Sequence, residues 1–386
     1  MSYTKNFFSE KNDWSKHKDR LLKRYMLPYL TKVMSTGIDI VLIDGFAGRG
    51  KFEDGTIGSP LIIKNAIYEA KNISKCKKTK ITPYFIEYEY AEDLKKNLAD
   101  RNAIVISGDY RIETPNILSR EKGKNLFLYV DPFGIKYLDF SIFANLNPDD
   151  YNSIELLLNL NSFGFIREAC RLLKYKQEDF DDDLPELNYS TDSTKNTIEN
   201  MIKIANGDYW IEIVKKYNAG HYNIFEAEKR FLHKYLEELK KIFKFVYCIP
   251  IRKSKGNLSK YQMIFATNHR DGAMLMGNNM IKCNNEINDE LNGLQGWMFD
   301  YDHTLDNIKD DVLEVLDNNF VNIKDFYNMI YDKYGFIYLT SDINNCLKEL
   351  ELEDKVVIYR YPPKTSNGKF TKSMDIKHLT IKVKRK

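Results

Sequence analysis

The sequence predicts an α/β protein built on a mostly parallel sheet, closed by an antiparallel pair of strands, interrupted by a helical insertion and followed by a separate small domain. Three observations lead there. Apolar runs recur at Ile38–Ile43, Ile81–Ile86, Ala103–Ile106, Leu126–Val130 and Ile154–Leu160, each followed by a turn and mostly by helix-compatible sequence, which is the rhythm of βαβ units. Two more strand candidates, Phe243–Ile251 and Tyr261–Thr267, flank the turn-rich RKSKGNLSK in a hairpin-like arrangement. At 386 residues the chain is also too long for one comfortable core.

Taken in order, residues 1–37 form an N-terminal helical segment. Leu21, Leu22, Tyr25, Met26, Tyr29, Leu30 and Val33 fall at helical spacing, interrupted by Pro28. Residues 38–161 make the first part of the sheet core. Residues 162–242 read as a mainly helical insertion, with the acidic stretch Glu178–Asp192 as a loop, and residues 243–300 supply the closing strands. In residues 301–386, three short helical patterns precede KVVIYRY, the turn PPKTSNGK and IKHLTIKVK; the third pattern has Thr340 or Ser341 as its N-cap. Three helices and then a β-hairpin describe a winged helix. There is no internal repeat.

Composition narrows the function classes. A hydrophobic share of 43% is enough to build cores, and a charged share of 29% with no stretch approaching the ~18 apolar residues of a membrane span predicts no membrane role. The first twenty residues show no apolar signal core, so the expected location is cytoplasmic. The five cysteines lack CxxC spacing and are read as ordinary reduced residues. Charge is lopsided. From Lys355 onward there are ten Lys/Arg against the single acid Asp375, an excess of +9, which leaves about −6 for the preceding residues within the net +3. Such an end suits a polyanion, because neutralising phosphates releases counterions; a solvated basic tail is the alternative. Arg360, Lys364, Lys369 and Lys372 are the nucleic-acid-binding candidates.

The densest signal is DGFAGRG, Asp44 to Gly50, at the end of the first strand candidate. An acid followed by a glycine-rich turn lets the backbone approach a ligand at the carboxyl end of a parallel strand, with Gly48 and Gly50 making room. The Gly-x-Gly-x-x-Gly spacing of dinucleotide sites is absent, because Gly45, Gly48 and Gly50 stand three and two apart. The second strand ends in Glu87, an acid able to accept hydrogen bonds from ribose hydroxyls, with Glu89 as second candidate. Asp109 follows the third strand and Asp131, in LYVDPFG, the fourth.

The Asp-x-Phe-x-Gly-x-Gly form resembles the first motif of Rossmann-like methyltransferases that use S-adenosylmethionine, especially those acting on nucleic-acid bases. That resemblance implies S-adenosylmethionine as cofactor, held by Asp44, Gly45, Phe46, Gly48, Gly50, Glu87 and Asp109, the last toward the adenine amino group; a turn aspartate is the alternative for Asp109. DPFG resembles the Asp/Asn-Pro-Pro-Tyr/Phe tetrad of amino methyltransferases but departs from it. Phe133 takes the second proline's place and Gly134 the aromatic's, so Asp131 is the candidate for orienting the acceptor and Phe133 for stacking it.

Together with FIEYE, SFGFIR and YQMIFATNHRDGAMLMGNNM, these segments resemble the three-Cys-motif partner (TcmP) proteins, a bacterial family named for a neighbouring protein with a three-cysteine motif. The likeness runs from Trp14 to Met280. It implies a Rossmann-like methyltransferase core and a three-Cys-motif protein as partner. The expected function is an S-adenosylmethionine-dependent methyltransferase acting on nucleic acid. The competing reading is a non-catalytic nucleic-acid-binding subunit that keeps a cofactor-like pocket, favoured by the imperfect fourth motif. A nuclease lacks a PD-(D/E)xK-like or HNH-like cluster. No metal is expected: His221, His233 and His269 have no ligand spacing, and Asp181–Asp183 read as solvated. Arg167 is either a helix-surface residue or one that reaches the site.

Overall fold

The computed structural model describes residues 13–76, 78–99, 102–175, 197–252, 259–292 and 307–386. The chain divides into two compact units, Met1–His269 and Arg270–Lys386. The acidic stretch Glu178–Asp192 lies outside the described residues.

The first unit carries a seven-stranded sheet: β1 (Ile40–Asp44), β2 (Ile81–Glu87), β3 (Ile104–Ser107), β4 (Asn125–Val130), β5 (Ser153–Leu160), β6 (Phe245–Arg252) and β7 (Ser259–Thr267). Their order is β3-β2-β1-β4-β5-β7-β6. The first five run parallel, and β7 pairs antiparallel with both β5 and β6. The βαβ rhythm and the closing antiparallel pair are therefore both present. Every residue of β1 and β4 is buried, as expected for central strands covered on both faces and for their continuous apolar runs.

The covering helices follow from sequence pattern. On one face, Val41, Ile43, Leu128 and Leu156 join a core with α4 (Tyr110–Arg120), α6 (Ser162–Leu172), α7 (Ile198–Ala205), α8 (Tyr209–Asn218) and α9 (Ile224–Lys240). The connections between strands also include α2 (Ser59–Ile73), α3 (Ala91–Leu98) and the single turn α5 (Ser141–Ala144). The N-terminal helix α1 (Asp13–Met34) buries all seven residues of its apolar stripe and contains Pro28. It lies against the opposite face, where Tyr25 and Tyr29 pack on Phe127 with ring centres 6.0 and 5.3 Å apart.

A buried carboxyl fixes the placement of α1. Glu155 sits inside β5 and accepts the Tyr25 hydroxyl. Burial raises its pKa to about 8, against the opposing effects of Tyr25 and Lys32. Glu155 and Asn159 are four residues apart on one face of β5, roughly 13 Å. Lys18 and Tyr25, seven apart on one face of α1, span about 10 Å. The helix is therefore tied to the sheet twice, by Tyr25 to Glu155 of β5 and by Lys18 to Asp131 just beyond β4, a carboxylate that Asn159 of β5 also meets.

The second unit contains α10 (Arg270–Asn292), α11 (Ile308–Val315), β8 (Val321–Asn322), α12 (Ile323–Tyr334), α13 (Thr340–Leu352), β9 (Val356–Tyr361) and β10 (Thr380–Arg385). Its sheet has the antiparallel order β8-β10-β9. The expected cap at Thr340 or Ser341 is corrected. The helix begins at Thr340, whose hydroxyl is turned to Asn278, and the Leu339 N–H donates to the Asp342 carboxylate instead.

Tyr25→Phe should leave Glu155 with an unmet buried acceptor and cost about 1–3 kcal/mol in denaturant unfolding. Adding Glu155→Leu should restore part of that loss, so the two changes should be non-additive; additive effects would show that the pair does not anchor α1.

Candidate functional site

In an open α/β sheet, ligands bind at the carboxyl ends of the strands where strand order reverses. Here that point is β1, which pairs with β2 on one side and β4 on the other. Asp44, Glu87 and Asp131 all stand at or just beyond strand ends around it.

The glycine turn is pinned across this point by its own amides. The Gly45 N–H donates to the Tyr129 carbonyl of β4 at 2.9 Å, and the Ala47 N–H to the Ile86 carbonyl of β2 at 3.0 Å. The Gly48 N–H donates to Glu87 Oε2 at 2.7 Å. Gly48 and Gly50 have φ of 60° and 75°, which side chains rarely adopt. Gly45 is needed for a different reason, since a Cβ there would lie 2.5 Å from the Tyr110 ring. Phe46 also packs on that ring, centre to centre 4.9 Å. The Arg49 guanidinium lies 4.3 Å from the Tyr90 ring centre and draws the turn toward the start of α3.

Glu87 does more than the sequence suggests. Besides Gly48, it accepts the N–H groups of Glu89 (2.9 Å) and Tyr90 (3.1 Å) on Oε1. Three of roughly four acceptor positions of a carboxylate are thus occupied by backbone, and the capacity left for a ligand lies on Oε2.

Asp44 is fully buried. Its Oδ1 accepts the Phe46 N–H at 3.2 Å, the Ser59 hydroxyl also bears on the carboxyl, and Oδ2 makes no hydrogen bond of normal geometry. Burial raises its pKa to about 7, opposed by the Ser59 hydroxyl and the Phe46 N–H, while the charges of Asp131 and Glu87 add to the rise. An unmatched buried acceptor, next to two more carboxylates, is chemistry suited to a donor-bearing or cationic ligand.

Asp131 is held from three sides. Oδ1 accepts Lys18 Nζ at 2.8 Å and Asn159 Nδ2 at 2.7 Å, and Oδ2 accepts the Tyr129 hydroxyl at 3.2 Å. Lys18 is itself buried, 5.0 Å from the Tyr261 ring centre. Phe133 follows on the loop and is 38% exposed. Lys18 and Asn159 were not among the sequence candidates. Their signals were a lysine heading the stripe that continues through Leu22, Tyr25 and Tyr29, and an asparagine inside the apolar run ELLLNL.

Two expectations change. Asp109 caps α4 and has both oxygens on Arg111, whose guanidinium holds it below the usual carboxylate range. This is the geometry of the turn alternative, with the backbone and guanidinium of Arg111 on the Asp109 oxygens. Arg360 is turned into its own unit, paired with both Glu351 oxygens at 2.7 and 2.8 Å, and so is not presented to phosphate. Lys364, Lys369 and Lys372 are exposed on the β9–β10 connection. Among the described residues no group of three or more His, Cys, Asp and Glu side chains is arranged to hold a metal.

The Asp44 shift sets the sign of a pH dependence. A carboxyl whose pKa is about 7 when folded and ~3.9 when unfolded keeps its proton longer in the fold, so stability falls as pH rises through that window and levels above it. Glu155 acts in the same direction up to about pH 8. In unfolding measured from pH 5 to 8, Asp44→Asn should lose distinctly less stability than the parent; equal losses would remove Asp44 from the account.

No protein-family model matches the chain, and no curated protein matches it. Among solved structures it is similar to a spermidine synthase in complex with the transition-state analogue AdoDATO, at 9% identity and a TM-score of 0.33. It is also similar to the spermidine synthase of Thermotoga maritima, at 7% identity and a TM-score of 0.33. Each match covers 71% of this chain and 65% of the synthase. With likeness this faint, the functional reading rests on the site's own geometry.

Proposed function

We propose that the first unit binds S-adenosylmethionine at the carboxyl ends of β1 and β2 and is an S-adenosylmethionine-dependent methyltransferase acting on nucleic acid. The observation that carries this reading is the buried Asp44, whose Oδ2 makes no hydrogen bond of normal geometry, beside the Glu87-held glycine turn. The charges of Asp131 and Glu87 both act on Asp44; Asp131 is already paired with Lys18, and a cationic ligand would offset the negative charge of Asp44 and Glu87. When bound, the cofactor supplies a methyl group on a positively charged sulfur.

The chain's own residues have separate tasks in this reading. Gly48 lets the backbone approach the ligand, and the spare capacity of Glu87 Oε2 accepts one ribose hydroxyl. Asp44 Oδ2 accepts a donor. Lys18 and Asn159 fix Asp131, and Phe133 offers a ring to an acceptor base. Alignment of donor and acceptor is most of what such a transfer needs from protein. In the second unit, a helix, a short strand, two helices and a hairpin with sheet order β8-β10-β9 support the winged-helix reading. Membership of the TcmP family, with a three-Cys-motif partner, remains part of the proposal.

One observation favours the non-catalytic alternative. Asp131 is tied to Lys18, Asn159 and Tyr129, so it serves structure whether or not it meets an acceptor.

Calorimetry on the full chain should show binding of S-adenosylmethionine and its abolition in Gly48→Val, because any side chain is strained at φ 60°. Affinity for the cationic cofactor should rise relative to neutral-sulfur S-adenosylhomocysteine between pH 6 and 8 as Asp44 ionises, and Asp44→Asn should flatten that trend. Undiminished binding by a folded Gly48→Val protein would place the ligand elsewhere. Binding without S-adenosylhomocysteine formation, when nucleic acid and the genomic neighbour are added, would favour the partner reading.

A further inference from the structure

The small sheet of the second unit has two unlike faces. Val356, Ile358, Ile381 and Val383 are buried on one, where Arg360 also turns in to Glu351. On the other face, cross-strand neighbours are Tyr361 with Thr380, Tyr359 with Lys382 and Val357 with Lys384. Phe320, two residues before Asn322 of β8, extends that face. Its ring meets Tyr359 edge-on at 6.4 Å, and Lys384 Nζ lies 5.0 Å from its centre. Phe320, Tyr359 and Tyr361 are 47%, 47% and 59% exposed. The β9–β10 connection carries a similar pair, Lys364 over the exposed Phe370 at 5.5 Å. Large rings held this far out of a core are the informative exception to burial.

Charge separates the same surface from the rest of the unit. Lys309, Lys333, Lys355 and Lys386 are closed on Glu or Asp partners. Lys382, Lys364, Lys369 and Lys372 have no ion pair among the described residues. The helix α13, by contrast, holds the acids Asp342, Glu349 and Glu351 against the one base Lys348. A helix of that charge opposes entry into a duplex groove, which is how the second helix of a helix-turn-helix reads DNA.

We infer that the outer sheet face formed by Phe320, Tyr359, Tyr361, Lys382 and Lys384 binds single-stranded nucleic acid, with unpaired bases stacked on the rings and phosphates met by the lysines. Every base has a face to stack, and each stacked base is worth about 1–3 kcal/mol. This deepens the nucleic-acid part of the proposed function and rests on it. It places the nucleic-acid surface on the sheet face and specifies a single strand.

The test is fluorescence anisotropy of the full chain with labelled mixed-sequence oligonucleotides, single-stranded RNA, single-stranded DNA and duplex DNA, at several salt concentrations. The parent should prefer single strands. Tyr359→Ala/Tyr361→Ala should weaken single-strand binding at least ~10-fold, whereas Tyr359→Phe/Tyr361→Phe, which keeps both rings, should bind like the parent. Lys382→Ala/Lys384→Ala should lower the salt slope by about 0.7 for each phosphate that is no longer neutralised. Parent-like binding by the alanine pair, or a parent preference for duplex, would overturn the inference while leaving nucleic-acid binding itself in place. Failure of the parent to bind any oligonucleotide would overturn both.

Discussion

The carboxylate of Glu87 is the constraint on which the candidate site depends. It stands at the end of β2 and accepts three backbone amides, one from the glycine turn after β1 and two from the turn that opens α3. Charge-assisted bonds of this kind are stronger than neutral ones, and they join two loops that the sheet alone would leave independent. With the turn fixed, Gly48 can keep its left-handed φ, Gly45 stays closed on Tyr110, and Asp44 is buried beneath them. The raised Asp44 pKa is then a consequence of the clamp, since the loop that covers this carboxyl removes it from water.

The acceptor side has a different support. Lys18 reaches Asp131 from α1, far away in sequence, and Asn159 reaches it from β5. The helix gains its position two turns further along, where Tyr25 meets the buried Glu155. Packing of the N-terminal helix and order at the fourth strand end are therefore one problem. Breaking a partly buried ion pair by removing one member is expensive because the other is left without a partner, so changes at Lys18 and at Asp131 should be felt in stability as well as in any activity.

The sheet was legible in the sequence because parallel strands buried on both faces must be apolar throughout, and Ile81–Ile86 and Ile154–Leu160 read that way within a residue or so of the observed ends. Asp44, Glu87 and Asp131 were legible because each follows such a run. Their partners were not. Pattern locates a residue on an element but not the atom it faces, so it could not show that Arg111, two residues on, bonds the Asp109 oxygens. Arg360 failed for the same reason, as net charge counts a guanidinium without registering that Glu351 has already paired with it. Lys18 lay hidden because a lysine at the head of an apolar stripe looks like a surface residue until the strand beneath it is known.

The central claim is that Glu87 holds the glycine turn in the form a ligand needs, and amide hydrogen exchange reads that directly. In peptides covering residues 44–52 and 86–94, Glu87→Gln, which keeps the shape but removes the charge and one acceptor oxygen, should speed exchange in both segments together. S-adenosylhomocysteine should slow exchange in both segments of the parent. Unchanged exchange in the variant, or a parent whose two segments do not respond to the ligand, would contradict the account.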